Sequence, residues 1–128
     1  MEAKKLHVVE DNELNLKLYL YALRPLDVQI LIARNGEETL DLITSEKPDA
    51  VVLDIQLPGI GGMEVAKAVR ANPDVASTPI IAVTAYSMAG DREKILAAGC
   101  DYYLSKPIDT RAFPRIIQSV LDGETPVI

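Results

Sequence analysis

The sequence predicts an α/β fold, a doubly wound five-stranded parallel sheet flanked by five helices. Five short apolar runs, at 6–9, 28–33, 50–53, 80–83 and 101–104, alternate with longer amphipathic stretches. Four of the runs are rich in Val, Ile and Leu and show little polar alternation, the pattern of strands buried on both faces of a parallel sheet. Strands that alternate with helices favour right-handed crossovers and helices on both sides of the sheet.

The first run contains His7, read as a packed side chain, and leads directly into Glu10 and Asp11. Asn12 can cap the helix expected over 13–23. That helix is apolar on two nearly opposite rows, one of Leu14, Leu18 and Tyr21 and one of Leu16, Leu20 and Leu23. A helix on a sheet buries one broad face, so either one row is exposed for a partner or the second packs against the last helix. After the second run, Asn35-Gly36 precedes a helix expected over 37–45. The third run ends on Asp54, and a helix is expected over 62–71. The fourth is followed by Thr84 and Ala85, then a helix over 92–98 for which Asp91 or Ser87 is the cap. The fifth, with Tyr102 and Tyr103, is the weakest and belongs near an edge; Cys100 before it reads as a small buried residue. Ser105, Lys106 and Pro107 follow it. Pro114 stands where the last helix, over 111–121, should be forming, and it lacks a backbone donor. One domain over 1–122 and a loose tail over 123–128 are expected, with no repeat or linker.

Composition narrows the function. A chain of 128 residues with 48% apolar and 25% charged residues is ordinary globular material. Its formal charge of −6 argues against nucleic acid and anionic membrane surfaces. The lone Cys100 excludes an internal disulfide and suits a reducing compartment. No signal-peptide core or membrane span is legible, so a cytoplasmic protein, monomeric or weakly dimeric, is expected.

In a doubly wound sheet, ligands bind at the carboxyl ends of the strands. Glu10, Asp11, Asp54, Thr84 and Lys106 all stand at such ends and should converge. Taken singly, Asp11 reads as a helix cap and Lys106-Pro107 as a turn; convergence is what points to a site. Clustered carboxylates repel, and a divalent cation relieves them; hard oxygen donors suit magnesium, calcium or manganese, magnesium best. With Lys106 as a second positive charge and Thr84 as a neutral donor, the set fits phosphoryl transfer, with Asp54 as nucleophile.

Glu10-Asp11, Asp54 followed by Pro58 and Gly62, Thr84-Ala85 and Lys106-Pro107 resemble the signature of bacterial response-regulator receiver domains, the CheY-like fold, across essentially the whole chain. The stretches VEDNELN, DIQLPGIGG and TAYSMAGDREKILAAGCDYYLSKPI further resemble DivK-like single-domain regulators of cell division and differentiation. The resemblance implies that Asp11, Asp54 and the backbone carbonyl of Gln56 bind magnesium, with Glu10 acting through a water. It implies that Thr84 and Lys106 contact phosphoryl oxygens, that Tyr103 is an aromatic switch, and that Gln56 and Tyr86 tune phosphoryl lifetime. It also implies a cis Lys106-Pro107 bond.

The expected function is therefore a phosphorelay receiver that accepts a phosphoryl group on Asp54 from a sensor histidine kinase or histidine phosphotransfer protein. Catalysis would be limited to its own phosphorylation and dephosphorylation. No output domain follows the last helix, so output to a downstream protein through the face around 88–121 is expected. Rival readings are a receiver-like binding module that acts without phosphorylation and an Asp-dependent phosphatase of the haloacid dehalogenase type. The first is disfavoured because all five key positions are intact. The second needs an acid at the position of Gln56. A flavodoxin-like cofactor binder fails because Glu10 and Asp11 would repel a phosphate.

Overall fold

A computed structural model describes residues 3–85 and 90–128. In chain order the elements are β1 (Lys4–Val9), α1 (Glu13–Ala22), β2 (Val28–Ala33), α2 (Gly36–Glu46), β3 (Ala50–Asp54), α3 (Gly62–Ala71), β4 (Ile80–Thr84), α4 (Asp91–Ala97), β5 (Tyr102–Ser105) and α5 (Ala112–Leu121). The strands form one sheet in the order β2-β1-β3-β4-β5. All four pairings are parallel, so every apolar run became a strand and every crossover carries a helix. β5 is an edge strand, as its weaker apolar character suggested.

The strands divide the core by alternation. Leu6 and Val8, Ala50 and Val52, and Ile81 and Val83 face the layer of α1 and α5, where they meet Leu16, Tyr19, Phe113 and Ile117. Val9, Val51 and Leu53, and Ile80 and Ala82 face the opposite layer with Ile43, Val65, Val69 and Ile95. On α1 the Leu16–Leu20–Leu23 row turns inward, and Tyr19 stacks on Phe113 with ring centroids 5.5 Å apart. On the other row Leu14 is 76% and Tyr21 57% exposed, with Leu18 between. The Leu16 row packs in the layer it shares with the last helix, Leu14 and Tyr21 are presented to solvent, and Leu18 is half-buried.

The caps follow local chemistry. The Asn12 side chain accepts a hydrogen bond from the Asn15 N–H at 3.0 Å, and that of Asn35 accepts from Glu38 at 2.8 Å. Asp91 is the first residue of α4 rather than its cap, with Gly90 before it at φ 93°; Ser87 lies outside the described residues. Pro114 is the third residue of α5, and the N–H just before it, that of Phe113, already bonds the Asp109 carbonyl four residues back at 2.9 Å. Helical bonding therefore begins at Asp109, and Pro114, which has no N–H, cannot make the next such bond, to the Thr110 carbonyl. Asp109 serves that turn instead: its carboxylate accepts from the N–H groups of Arg111 and Ala112 at 2.8 and 3.2 Å, which lowers its pKa.

One polar group that the pattern did not single out, Arg70, holds the scaffold, and another, His7, is packed inside it as expected. Arg70 on α3 donates to the carbonyls of Gly99, Ala76 and Thr78 at 2.7–2.9 Å and pairs with Asp101 at 2.7 Å. The same Asp101 oxygen accepts from the Ile80 N–H, so one guanidinium ties α3 to the starts of β4 and β5. His7, between Leu31 and Val51 on the face it shares with Val9, is fully buried, and neither ring nitrogen has a hydrogen-bond partner.

Burial pushes the His7 pKa down from 6.5 to about 4. The neutral ring belongs to the fold, while the unfolded chain binds a proton below pH 6.5. This contribution is therefore complete above pH 6.5 and is lost as the pH falls towards 4, by on the order of 3 kcal/mol. Urea unfolding at pH 7.5 and pH 4.5 should show that loss. His7→Met should flatten it without loss at neutral pH, since it removes two unsatisfied nitrogens. An unchanged slope in the variant would assign the acid sensitivity elsewhere.

Candidate functional site

The parallel sheet delivers the expected side chains to one edge. Glu10 follows β1 and is fully buried, held by its N–H to the Ala33 carbonyl at 3.0 Å; its Oε2 accepts from the Asn12 N–H at 3.2 Å. Asp54 ends β3 and is 2% exposed; its Oδ1 accepts from the Gln56 N–H at 2.9 Å. Asp11 is exposed at the start of the loop. One carboxylate oxygen each from Glu10, Asp11 and Asp54 lie within 4.8 Å of one another.

Lys106, just past β5, closes the cluster. Its Nζ lies 3.2 Å from Glu10 Oε1 and 3.2 Å from Asp54 Oδ2. The contact to Glu10 is an ion pair without hydrogen-bond alignment, so that buried oxygen has no hydrogen bond. The Lys106-Pro107 bond is cis. Thr84 ends β4 and is buried, and Tyr103 lies half-buried in β5 against the α2–α4 layer. Gln56 is exposed, and its side-chain oxygen accepts from the Ala85 N–H at 3.4 Å. Tyr86 lies outside the described residues.

Charge crowding is visible in Asp54, whose pKa is raised from 3.8 to about 6. Burial is the main cause; the Gln56 N–H opposes it, neighbouring Glu10 adds to it, and Lys106 opposes it. Three carboxylates face one ammonium, and one buried oxygen is unserved by any hydrogen bond. Such a donor set fits a hard divalent cation, to which Asp11 and Asp54 would offer oxygens with Glu10 behind them.

Two contributors were not legible beforehand. Tyr19 on α1 is buried beneath the acids; burial raises its pKa, and the charges of Glu10 and Asp54 raise it further. Gly62 opens α3 so close to the site that a Cβ there would stand 2.7 Å from both the Asp54 carbonyl oxygen and the Ile55 Cα. Gly62 was noticed only as part of a motif, and its spacing gives no sign of the backbone it approaches.

A parallel α/β domain with acids, a threonine and a lysine at the carboxyl ends of its strands defines a class, and the comparisons give it a name. The family model for the response regulator receiver domain matches residues 6–118, and the chain belongs to that family. It is similar to the polar-differentiation response regulator DivK of Brucella anthropi, 42% identical over 118 residues that cover 92% of this chain and 96% of the relative. A putative response regulator from Chloroflexus aurantiacus superposes with a TM-score of 0.88 at 29% identity, covering 94% of this chain and 99% of that one. The receiver domain of a sensor histidine kinase from Pseudomonas aeruginosa, with a magnesium ion coordinated in its active-site cleft, gives 0.86 at 30% identity and the same coverage, 94% and 99%. The expected family and fold are both borne out.

Gly62→Ala should lower stability by about 1–3 kcal/mol, because the new methyl meets backbone rather than a side chain that can swing away. Thermal unfolding measures this. A variant as stable as the parent would show that the loop after Asp54 yields freely.

Proposed function

We propose that the chain is the receiver of a phosphorelay and takes a phosphoryl group onto Asp54 from a phosphohistidine on a sensor histidine kinase or histidine phosphotransfer protein. The observation that carries this reading is the Lys106 ammonium held 3.2 Å from both Glu10 and Asp54 inside the acidic cluster. In that position Lys106 can follow charge from the carboxylate to a transferred phosphoryl oxygen, while the Gln56 N–H orients the carboxylate. A carboxylate oxygen of Asp54 bonds to phosphorus as the bond to the imidazole nitrogen breaks. Thr84, at the adjacent strand end, supplies a hydroxyl to the phosphoryl group. Magnesium, held by Asp11, Asp54 and the Gln56 carbonyl with Glu10 behind them, supplies charge neutralisation when bound.

The exposed row of Leu14, Leu18 and Tyr21 begins beside the acids and suits the docking of a phosphodonor. Output is assigned to a protein contact on the face of α4, β5 and α5, with Thr84 and Tyr103 as the residues that report phosphorylation there. Met88 and Ala89, in the expected output segment, lie outside the described residues. The similarity to DivK supports a role in differentiation or cell-division control. No helix among the described residues is long and apolar enough to cross a membrane, which suits a cytoplasmic relay.

Incubation with acetyl phosphate and magnesium should add one acid-labile, hydroxylamine-sensitive phosphate, and Asp54→Asn should abolish it. Undiminished labelling of that variant, read by intact mass, sinks the assignment.

Asp11→Ala should keep the fold, because Asp11 is exposed and its loss relieves like-charge repulsion. The same change should remove magnesium-dependent phosphate uptake. Uptake at the parental rate would show that Asp11 is not a metal ligand.

A further inference from the structure

The segment that follows α5 does not leave the domain. Gly123, at φ 77°, turns the chain, with its N–H on the Val120 carbonyl at 3.1 Å and that of Glu124 on Ser119 at 2.9 Å. Pro126 is then buried. Glu124 and Thr125 share a hollow with Tyr102 at the start of β5, and Ile128 shares one with Tyr103 and Leu104 further along it. The segment 124–128 therefore runs beside the open edge of β5, the side with no neighbouring strand. Among the described residues no backbone hydrogen bond joins it to β5, so it is held by side chains rather than as a sixth strand.

Its last two side chains are among the exposed large apolar groups of the described surface. Val127 is 96% and Ile128 65% exposed, yet both stand at the lip of an apolar cleft of about 250 Å³ between β5 and α5. Leu104, Pro107, Ile108, Phe113 and Ile116 line its interior. A cavity of about 150 Å³ holds a benzene molecule, so this cleft has room for branched aliphatic side chains. Exposed apolar groups beside an apolar cleft lose hydration cost by entering it.

We propose that residues 124–128 form a strap, anchored by Pro126, that closes by seating Val127 and Ile128 in the cleft between β5 and α5. The occupant is the chain's own segment. A closed strap covers the β5–α5 part of the face assigned above to output, so a partner that binds there with an extended apolar segment must displace it. That consequence rests on the proposed receiver function; the strap itself does not.

The test uses the full chain without phosphodonor or magnesium, with methyl groups labelled for NMR. Cross-peaks from Val127 and Ile128 methyls to those of Leu104, Ile108 and Ile116 are expected, and they should persist on dilution. A Val127→Asp, Ile128→Asp double variant should lose them, and its amide shifts at Leu104, Ile108 and Ile116 should move to match those of a chain ending at Gly123. Absent cross-peaks, or groove shifts identical in all three proteins, overturn the strap. Cross-peaks that vanish on dilution also overturn it, because the cleft would then be filled by a second copy. No phosphoryl chemistry enters, so failure here leaves the assignment of Asp54 standing, and failure at Asp54 leaves the strap.

Discussion

Everything distinctive in this domain depends on two buried carboxylates that share one ammonium. Lys106 lies 3.2 Å from an oxygen of each. At an effective dielectric of about 20, each contact is worth about 5 kcal/mol of Coulomb attraction. The two acids, with oxygens no more than 4.8 Å apart, repel by at least about 3 kcal/mol on the same scale. Burying each ion costs several kcal/mol more. These quantities nearly cancel, so the cluster is not a source of stability. Two carboxylates on one ammonium leave a net negative charge, Asp11 adds to it, and the energetic balance shifts when cationic or phosphoryl charge arrives.

The scaffold makes such crowding tolerable by fixing the backbone beneath it. Glu10 and Asp54 leave adjacent parallel strands, whose register sets Val9 opposite Leu53. Their separation is therefore set by the ladder and not by side-chain preference. On the next strand, Asp54 is paired with Val83, which places Thr84 one residue beyond. Gly62 lets α3 start against the Asp54 carbonyl, so the helix itself braces the loop that carries Gln56. At the opposite end of the sheet the Arg70 fork ties α3 to the starts of β4 and β5. The strand that presents Thr84 is thus held at its start as well.

This division explains what the sequence disclosed. Asp54, Thr84 and Lys106 were legible because each stands at the end of an apolar run, and a parallel sheet sends all such ends to one edge. β1, β3 and β4 were legible because both their faces are buried. Arg70 was not, because its value lies in four acceptors that meet only after α3 packs on the sheet. Tyr19 looked like one more apolar residue of α1, and nothing in its spacing placed it under the acids. The two apolar rows of α1 could not be ranked from periodicity, since the choice depends on where α5 lies; Phe113 against Tyr19 decides it. Pro114 was legible as a missing donor, but the Asp109 cap that starts the helix before it was not, since local pattern leaves such boundaries loose.

The two core layers set a limit on how a change at Asp54 can spread. By strand alternation, Glu10 continues the Leu6–Val8 side and Asp54 the Ala50–Val52 side, above Tyr19 and the layer of α1 and α5. Thr84 continues the Ile80–Ala82 side, and Tyr103 packs with that opposite layer. The acids and the two proposed reporter residues thus belong to different faces of one sheet. Side chains on opposite faces of a sheet do not touch each other across the backbone. Under the proposed function, the direct route between them is the carboxyl edge, where Ala85 follows Thr84. The contact between the Ala85 N–H and the Gln56 side chain already bridges that edge, from the loop of the acceptor to the loop of the reporter. It is long and exposed, hence weak, which is what a joint that must re-form around a phosphoryl group requires.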